Sequence, residues 1–110
     1  MAPKFHPEAE SEMVEAEAYL NSQRISYGDQ LIDLIMAQVH QAAKTPRIFP
    51  PHIHGTRKIV LHRFRYKVIF LEVADQITVV AVSHDSRRPE YWVDRLNEEE
   101  AGYHQPEGTS

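Results

Sequence analysis

Arg57-Lys58-Ile59-Val60-Leu61-His62-Arg63-Phe64-Arg65-Tyr66-Lys67-Val68-Ile69-Phe70-Leu71-Glu72-Val73-Ala74-Asp75-Gln76-Ile77-Thr78-Val79-Val80-Ala81-Val82 is the stretch that decides the fold. Val, Ile, Phe and Tyr dominate three runs within it, 57–64, 66–73 and 77–82, and such side chains fit a pleated, half-buried surface. Arg65 and Ala74-Asp75-Gln76 separate the runs and are short enough to close hairpins, which predicts a meander. Val79-Val80-Ala81-Val82 shows no polar alternation, so the third strand is expected to be central and covered on both faces.

Upstream, the spacing changes from strand-like to helical. Pro7 suits the first turn of a helix, where a missing N–H costs nothing, and Glu8, Glu10 and Glu12 favour the positive end of its dipole. Ala9, Met13, Ala16 and Leu20 form one apolar stripe, with Glu8, Glu12 and Glu15 read as the opposite, solvated face. This predicts a helix over 7–22. Ser26 is the expected N-cap of a second helix over 26–44, marked by Tyr27, Leu31, Leu34, Ile35, Val39 and Ala42 and stopped by Pro46. So short a break makes the two helices an αα-hairpin. Phe5-His6 is the end of a very short first strand, and Phe49-Pro50-Pro51-His52-Ile53-His54-Gly55 is a loop, since proline lacks the backbone donor.

Downstream, Pro89 opens a last helical turn over Glu90–Leu96. Asn97 to Ser110 is polar and acidic and is expected to be a disordered tail. The sequence thus predicts one domain over 1–96, a tail over 97–110, and an α+β fold. In that fold an N-terminal αα-hairpin packs on a curved antiparallel sheet of three to four strands, followed by a short C-terminal helical element.

Charge and composition narrow the function classes. The 110 residues carry a net charge of −4 and no cysteine. Disulfides and thiolate zinc sites are therefore excluded, and a reducing cytoplasmic setting is expected. The start of the chain lacks a signal-peptide run, and no apolar stretch approaches the ~20 residues of a membrane helix. The charge is uneven: residues 46–96 hold nine Lys/Arg against five Asp/Glu, and acidic segments flank them. Such a distribution fits a polyanion-facing surface, an acidic partner or an ordinary solvated face.

Several ordered pieces carry a family resemblance. These are His6-Pro7-Glu8-Ala9 with Glu15-Ala16-Glu17-Ala18-Tyr19, then Phe49-Pro50 ahead of Arg57, then Arg63-Phe64-Arg65-Tyr66. Ile77–Val82 follows, with Ser83-His84 and Arg88-Pro89-Glu90-Tyr91-Trp92. Together, over about residues 5–96, they resemble the RelE/ParE toxin superfamily, most closely the ParE branch. The chain departs from the family's Arg-Phe-Pro-Tyr hairpin by placing Arg65 where proline is usual. The resemblance implies the toxin of a type II toxin–antitoxin system, neutralised by an antitoxin whose C-terminal segment wraps it. ParE-type toxins are associated with DNA gyrase poisoning and plasmid stabilization, whereas RelE-type relatives cut mRNA in the ribosomal A site. A shared fold does not choose between these activities.

An RNase of this class needs a base, an acid and cations around one phosphate. The cations are present as Arg57, Lys58, Arg63, Arg65, Arg87 and Arg88, and His84 is the catalytic candidate if the chain is an RNase. The tyrosine that RNase-type relatives place near this histidine is missing: Asp85 follows His84, and Tyr91 lies in the ParE-like run. The expected function is therefore gyrase inhibition by binding, without cofactor. A ribosome-dependent mRNA endonuclease and a non-toxic binding module are the alternatives. Arg57, Arg63, Arg65, Arg87, Arg88 and Tyr91 are the contact candidates for target or antitoxin. Arg87-Arg88 beside Glu90 and Asp94 also reads as a simple ion-pair cluster. His52-x-His54 lacks a third ligand nearby and is not expected to bind metal. Tyr91 and Trp92 are expected to pack, Trp92 more deeply.

Overall fold

The computed structural model describes residues 2–100, and side chains up to Asn97. Helix α1 spans Pro7–Gln23, starting where the sequence placed it, with Pro7 in its first turn. The His6 imidazole caps it by accepting the Glu8 N–H at 3.0 Å. Helix α2 spans Tyr27–Lys44 and buries Leu31, Ile35, Val39 and Ala42, the stripe expected from spacing.

The hairpin between these helices is built differently from expectation. Ser26 stands at the N-cap position but in a left-handed backbone conformation (φ 65°), and its side chain caps nothing. Asn21, near the end of α1, does that work. Its Oδ1 accepts the Gly28 N–H at 2.7 Å and the Asp29 N–H at 3.4 Å. An amide from one helix thus satisfies the free donors of the next. Gly28 allows the close approach: a Cβ there would lie 2.1 Å from the Glu17 carbonyl oxygen.

Four strands form the sheet in the order β1-β4-β3-β2: β1 is Lys4–Phe5, β2 Arg57–Leu61, β3 Tyr66–Val73 and β4 Gln76–His84. The antiparallel meander β2–β3–β4 is as expected. The sheet as a whole is mixed, however, because β1 pairs with β4 in parallel through Lys4↔Thr78 and Phe5↔Val79. Two helices and two strands intervene, so no hairpin fixes the direction of β1. The strand expected over 57–64 stops at Leu61, and His62–Phe64 makes a tight helical turn leading to Arg65, whose φ is 62°. Backbone at that φ is closed to proline, whose ring holds φ near −65°.

β4 is covered on both faces, which explains its uniformly apolar run. Val79 and Val82 join the main core with Val68, Phe70 and the helices. Val80 and Ala81 face the other way and pack with Ile69, Leu71, Trp92 and Leu96. Two neighbours on one face require an extra residue, and the β3–β4 register shifts between Ile69 and Phe70, as at a β-bulge. Below we call these sides the helix face and the α3 face. The C-terminal helix α3 is Asp94–Glu100, later than the expected 90–96. Turns occupy the chain before it, with Glu90 at φ 69°, a conformation that cannot continue a helix. Asn97–Glu100, expected to start the tail, are helical. The remainder of the expected tail, 101–110, lies outside the described residues. Among those residues no helix is long and apolar enough to cross a membrane.

Gly28→Ala should destabilise the fold by about 1–3 kcal/mol, because the new methyl meets backbone rather than a movable side chain. Chemical denaturation monitored by circular dichroism measures this. A variant as stable as the parent would show that the α1–α2 crossing is not set by that contact.

Candidate functional site

Glu12 is the centre of the most connected group of side chains. Its carboxylate, only 10% exposed, faces Arg95, 13% exposed. Arg95 approaches as a fork, Nη1 to Oε1 at 3.0 Å and Nη2 to Oε2 at 2.9 Å. The Tyr91 hydroxyl donates to Oε2 at 2.7 Å. The Val82 N–H donates to Oε1 at 2.9 Å, and Arg95 Nη1 also donates to the Val80 carbonyl at 2.8 Å. β1 ends at Phe5, so β4 has no strand neighbour on this side beyond Val79. The Glu12–Arg95 pair fills that position, its carboxylate taking the donor and its guanidinium the acceptor that a strand would have paired. Ala9 and Ala16, one turn either side of Glu12, are small and buried and let α1 come close enough to reach β4.

Arg87 extends this group outward. Its guanidinium lies 3.8 Å from the Tyr91 ring centroid and 3.9 Å from Glu12, half exposed. Burial, followed by the hydrogen bond and charge of Glu12, pushes the Tyr91 phenol up to about 12.

Beside this group, on the helix face, His84 lines an open pocket of about 230 Å³ with Glu15, Tyr19, Tyr66 and Arg87. The ring of His84 stands edge-on to Tyr66 at 5.0 Å. Its Nδ1 accepts the Ser86 N–H at 3.0 Å, and the Ser86 hydroxyl lies 2.8 Å away. The local turn therefore occupies one ring nitrogen.

The α3 face is different in character. Trp92 and Leu96 cover its Leu71–Val80 half. The other half carries Lys58, paired across strands with Ile69, and Lys67, paired with Ser83. A cleft of about 260 Å³ opens there between the His52–Ile53 loop and the Arg87–Arg88 turn, with Lys67 and Ser83 on its floor and Trp92 at one wall. Burial, then the charges of Lys58, Lys67 and His54, lowers the His52 pKa. His54 and His52 flank the Trp92 ring at 6.4 and 6.1 Å, and His54 pairs with Glu90 at 3.6 Å. Among the described residues no group of three or more His, Asp or Glu is placed to hold a metal ion.

The structure separates the six contact candidates and the catalytic candidate, His84. His84, Arg87 and Tyr91 meet around Glu12, and Arg88 joins Lys67 at the basic cleft. Arg57 donates to the Phe49 carbonyl at 2.7 Å and ties down the proline loop. Arg63 donates to Gln30 on α2 at 2.5 Å and lies over Phe64 at 4.8 Å from its centroid. Arg65 is exposed at the hairpin, where its carbonyl accepts the Asp85 N–H at 2.8 Å. Glu12 and Arg95 were missed. Placing Glu12 on a solvated face was an error, although Ala9 and Ala16 at helical spacing on either side put it at the edge of the apolar stripe. Nothing local marks Arg95 as its partner, 83 residues away.

Glu12→Ala should cost about 3–5 kcal/mol, because it strands Arg95 and the Val82 N–H together. Arg87→Ala, which breaks a longer and half-exposed pair, should cost under about 1 kcal/mol. Thermal melts of the two variants test this ordering. For Tyr91 the folded pKa lies above the unfolded value near 10. Its contribution is therefore complete below pH 10 and is lost as pH rises from 10 towards 12. Stability measured across that window should fall less in Tyr91→Phe than in the parent.

No family model matches this chain, and no curated protein does. Among solved structures, one described as the chromosomal ParDE TA system from P. aeruginosa superposes with a TM-score of 0.66 at 15% identity. The match covers 76% of this chain and 95% of that one. A likeness at that identity concerns fold: this chain has the fold of that ParDE chain, the RelE/ParE-like fold its sequence pieces resemble.

Proposed function

We propose that this chain is the toxin of a type II toxin–antitoxin system, held by a cognate antitoxin and acting in the ParE manner by binding, with DNA gyrase as its target. The fold likeness to a ParDE chain supports the system. One observation favours binding over RNA cleavage: the candidate base and the cations Lys67 and Arg88 of the cleft lie on opposite faces of the sheet. His84 shares the helix face with Tyr66, whereas Lys67 and Arg88 line the α3-face cleft. A nuclease needs base, acid and cation around a single phosphate, within hydrogen-bond reach. Only Arg87 borders both places, and it is already engaged with Tyr91 and Glu12.

Expression of the chain alone should arrest growth and induce a DNA-damage reporter, without codon-phased cuts in mRNA primer extension. His84→Gln should leave that toxicity intact. Phased cuts that vanish in His84→Gln, at unchanged thermal stability, would establish the endonuclease instead. Growth unaffected by expression would favour a non-toxic binding module.

A further inference from the structure

One end of the molecule carries arginine on two turns that lie far apart in sequence. Arg24 stands in the turn between α1 and α2, and Arg63 and Arg65 stand in the turn between β2 and β3. Tyr27 and Phe64 join the two turns, their ring centroids 4.9 Å apart. The Arg24 guanidinium lies 5.4 Å from the Tyr27 centroid, and that of Arg63 lies 5.6 Å from the same ring. Two like charges are thus gathered on one tyrosine, with Arg65 next along the hairpin in a left-handed conformation. Among the described residues none of these three guanidinium groups is ion-paired. Arg63 uses one N–H donor on Gln30 and keeps the others. All three arginines are exposed, and Ile25 beside Arg24 is 89% exposed. The cation–π contacts offset part of the repulsion and hold two guanidinium groups in place, yet like charges so gathered cost free energy unless something negative answers them.

We propose that this end of the molecule contacts the phosphate backbone of duplex DNA through Arg24, Arg63 and Arg65. This deepens the toxin reading and rests on it for the source of the DNA, the segment that gyrase holds, though not for the chemistry of the contact. Residue type favours phosphate: arginine presents a planar fork that takes two phosphate oxygens at once. A duplex is favoured over a single strand because base stacking needs exposed aromatic rings. Phe64 is only 5% exposed, and Arg24 and Arg63 lie over the half-buried Tyr27 ring. Ile25, an apolar side chain projecting beside the arginines, is of the type that wedges into a DNA groove. A lipid surface is disfavoured, since three arginines and one isoleucine fall short of the paired signals that hold a protein on a bilayer. Three phosphate contacts bind weakly in isolation, but DNA already held by the toxin's protein target raises their effective concentration.

Fluorescence anisotropy of a short labelled DNA duplex, titrated with the full chain, measures the contact. Raising salt from about 50 to 200 mM should weaken binding about fortyfold, as three phosphate contacts require. Arg24→Gln and Arg65→Gln should each lower affinity about fivefold and make the log–log salt dependence shallower by about 0.9. Neither side chain makes a hydrogen bond among the described residues, so melting should be unchanged in both variants and in the pair. Ile25→Glu, which sets a negative charge beside the arginines, should weaken binding comparably. Arg47→Gln, beside the β3–β4 hairpin with Glu72 and Asp75, should not. Parental affinity in the Arg24→Gln/Arg65→Gln pair would overturn the proposal, as would absence of duplex binding at low salt. Tighter binding to oligouridylate would overturn it in favour of single-stranded RNA, tighter binding to polyglutamate in favour of an acidic peptide, and tighter binding to phosphatidylglycerol vesicles in favour of a lipid surface. The DNA-damage reporter separates this contact from the toxin reading. A reporter response without duplex binding leaves the toxin assignment standing and removes the contact. Duplex binding without any growth arrest does the reverse.

Discussion

The Glu12 carboxylate is the constraint on which the rest of this structure hangs. β1 is two residues long and leaves β4 with unpaired backbone groups facing α1. Buried donors and acceptors without partners cost about 1–3 kcal/mol each, and an open edge invites pairing with a foreign strand. Glu12 and Arg95 answer both problems with two side chains. In doing so they bind the N-terminal helix, the central strand and the C-terminal segment into one unit. The Tyr91 hydroxyl shares the same carboxylate, and Arg87 lies over the Tyr91 ring. The exposed turn at Arg87 is therefore anchored, through a chain of contacts, to a helix at the opposite end of the sequence.

The two faces of the sheet divide the chemistry. On the helix face are the principal core and the pocket holding His84. On the α3 face are a small apolar cluster and a cleft where Lys67 and Arg88 stand with Asp85 and Glu90. One fold can carry different chemistry by moving side chains between such faces without changing its topology. In this chain His84 and the Lys67–Arg88 cleft lie on opposite faces, and Arg87 alone of the arginines named borders both.

Much of this was legible in the sequence, for local reasons. The helix starts followed from Pro7 and the apolar spacing, the meander from two short separators, and the double burial of β4 from an unbroken valine-rich run. What escaped were interactions that join distant positions. The parallel pairing of β1 depends on where the chain returns after two helices and two strands. Asn21 takes over the capping expected of Ser26 because the helices cross closely at Gly28. Glu12 looked solvated because hydropathy cannot distinguish a carboxylate in water from one paired with an arginine 83 residues later. The candidate arginines were likewise found by type, but type alone does not separate Arg57, committed to a loop carbonyl, from Arg88, which lines the cleft.

The bulge in β4 has a consequence for how such a strand can vary. If the ladder ran regularly from the β3–β4 hairpin, Val80 would stand opposite Ile69, and every later residue would slip by one. Val82 would then face Lys67, and His84 would turn away from Tyr66 towards the basic side. The extra residue is accommodated between Val79 and Ala81, and it alone returns Val82 to the core and His84 to the tyrosines. In this strand a substitution alters one position, whereas the gain or loss of one residue re-aims the whole segment from Ala81 to His84. Length, more than composition, decides which groups this end of the sheet can bring together.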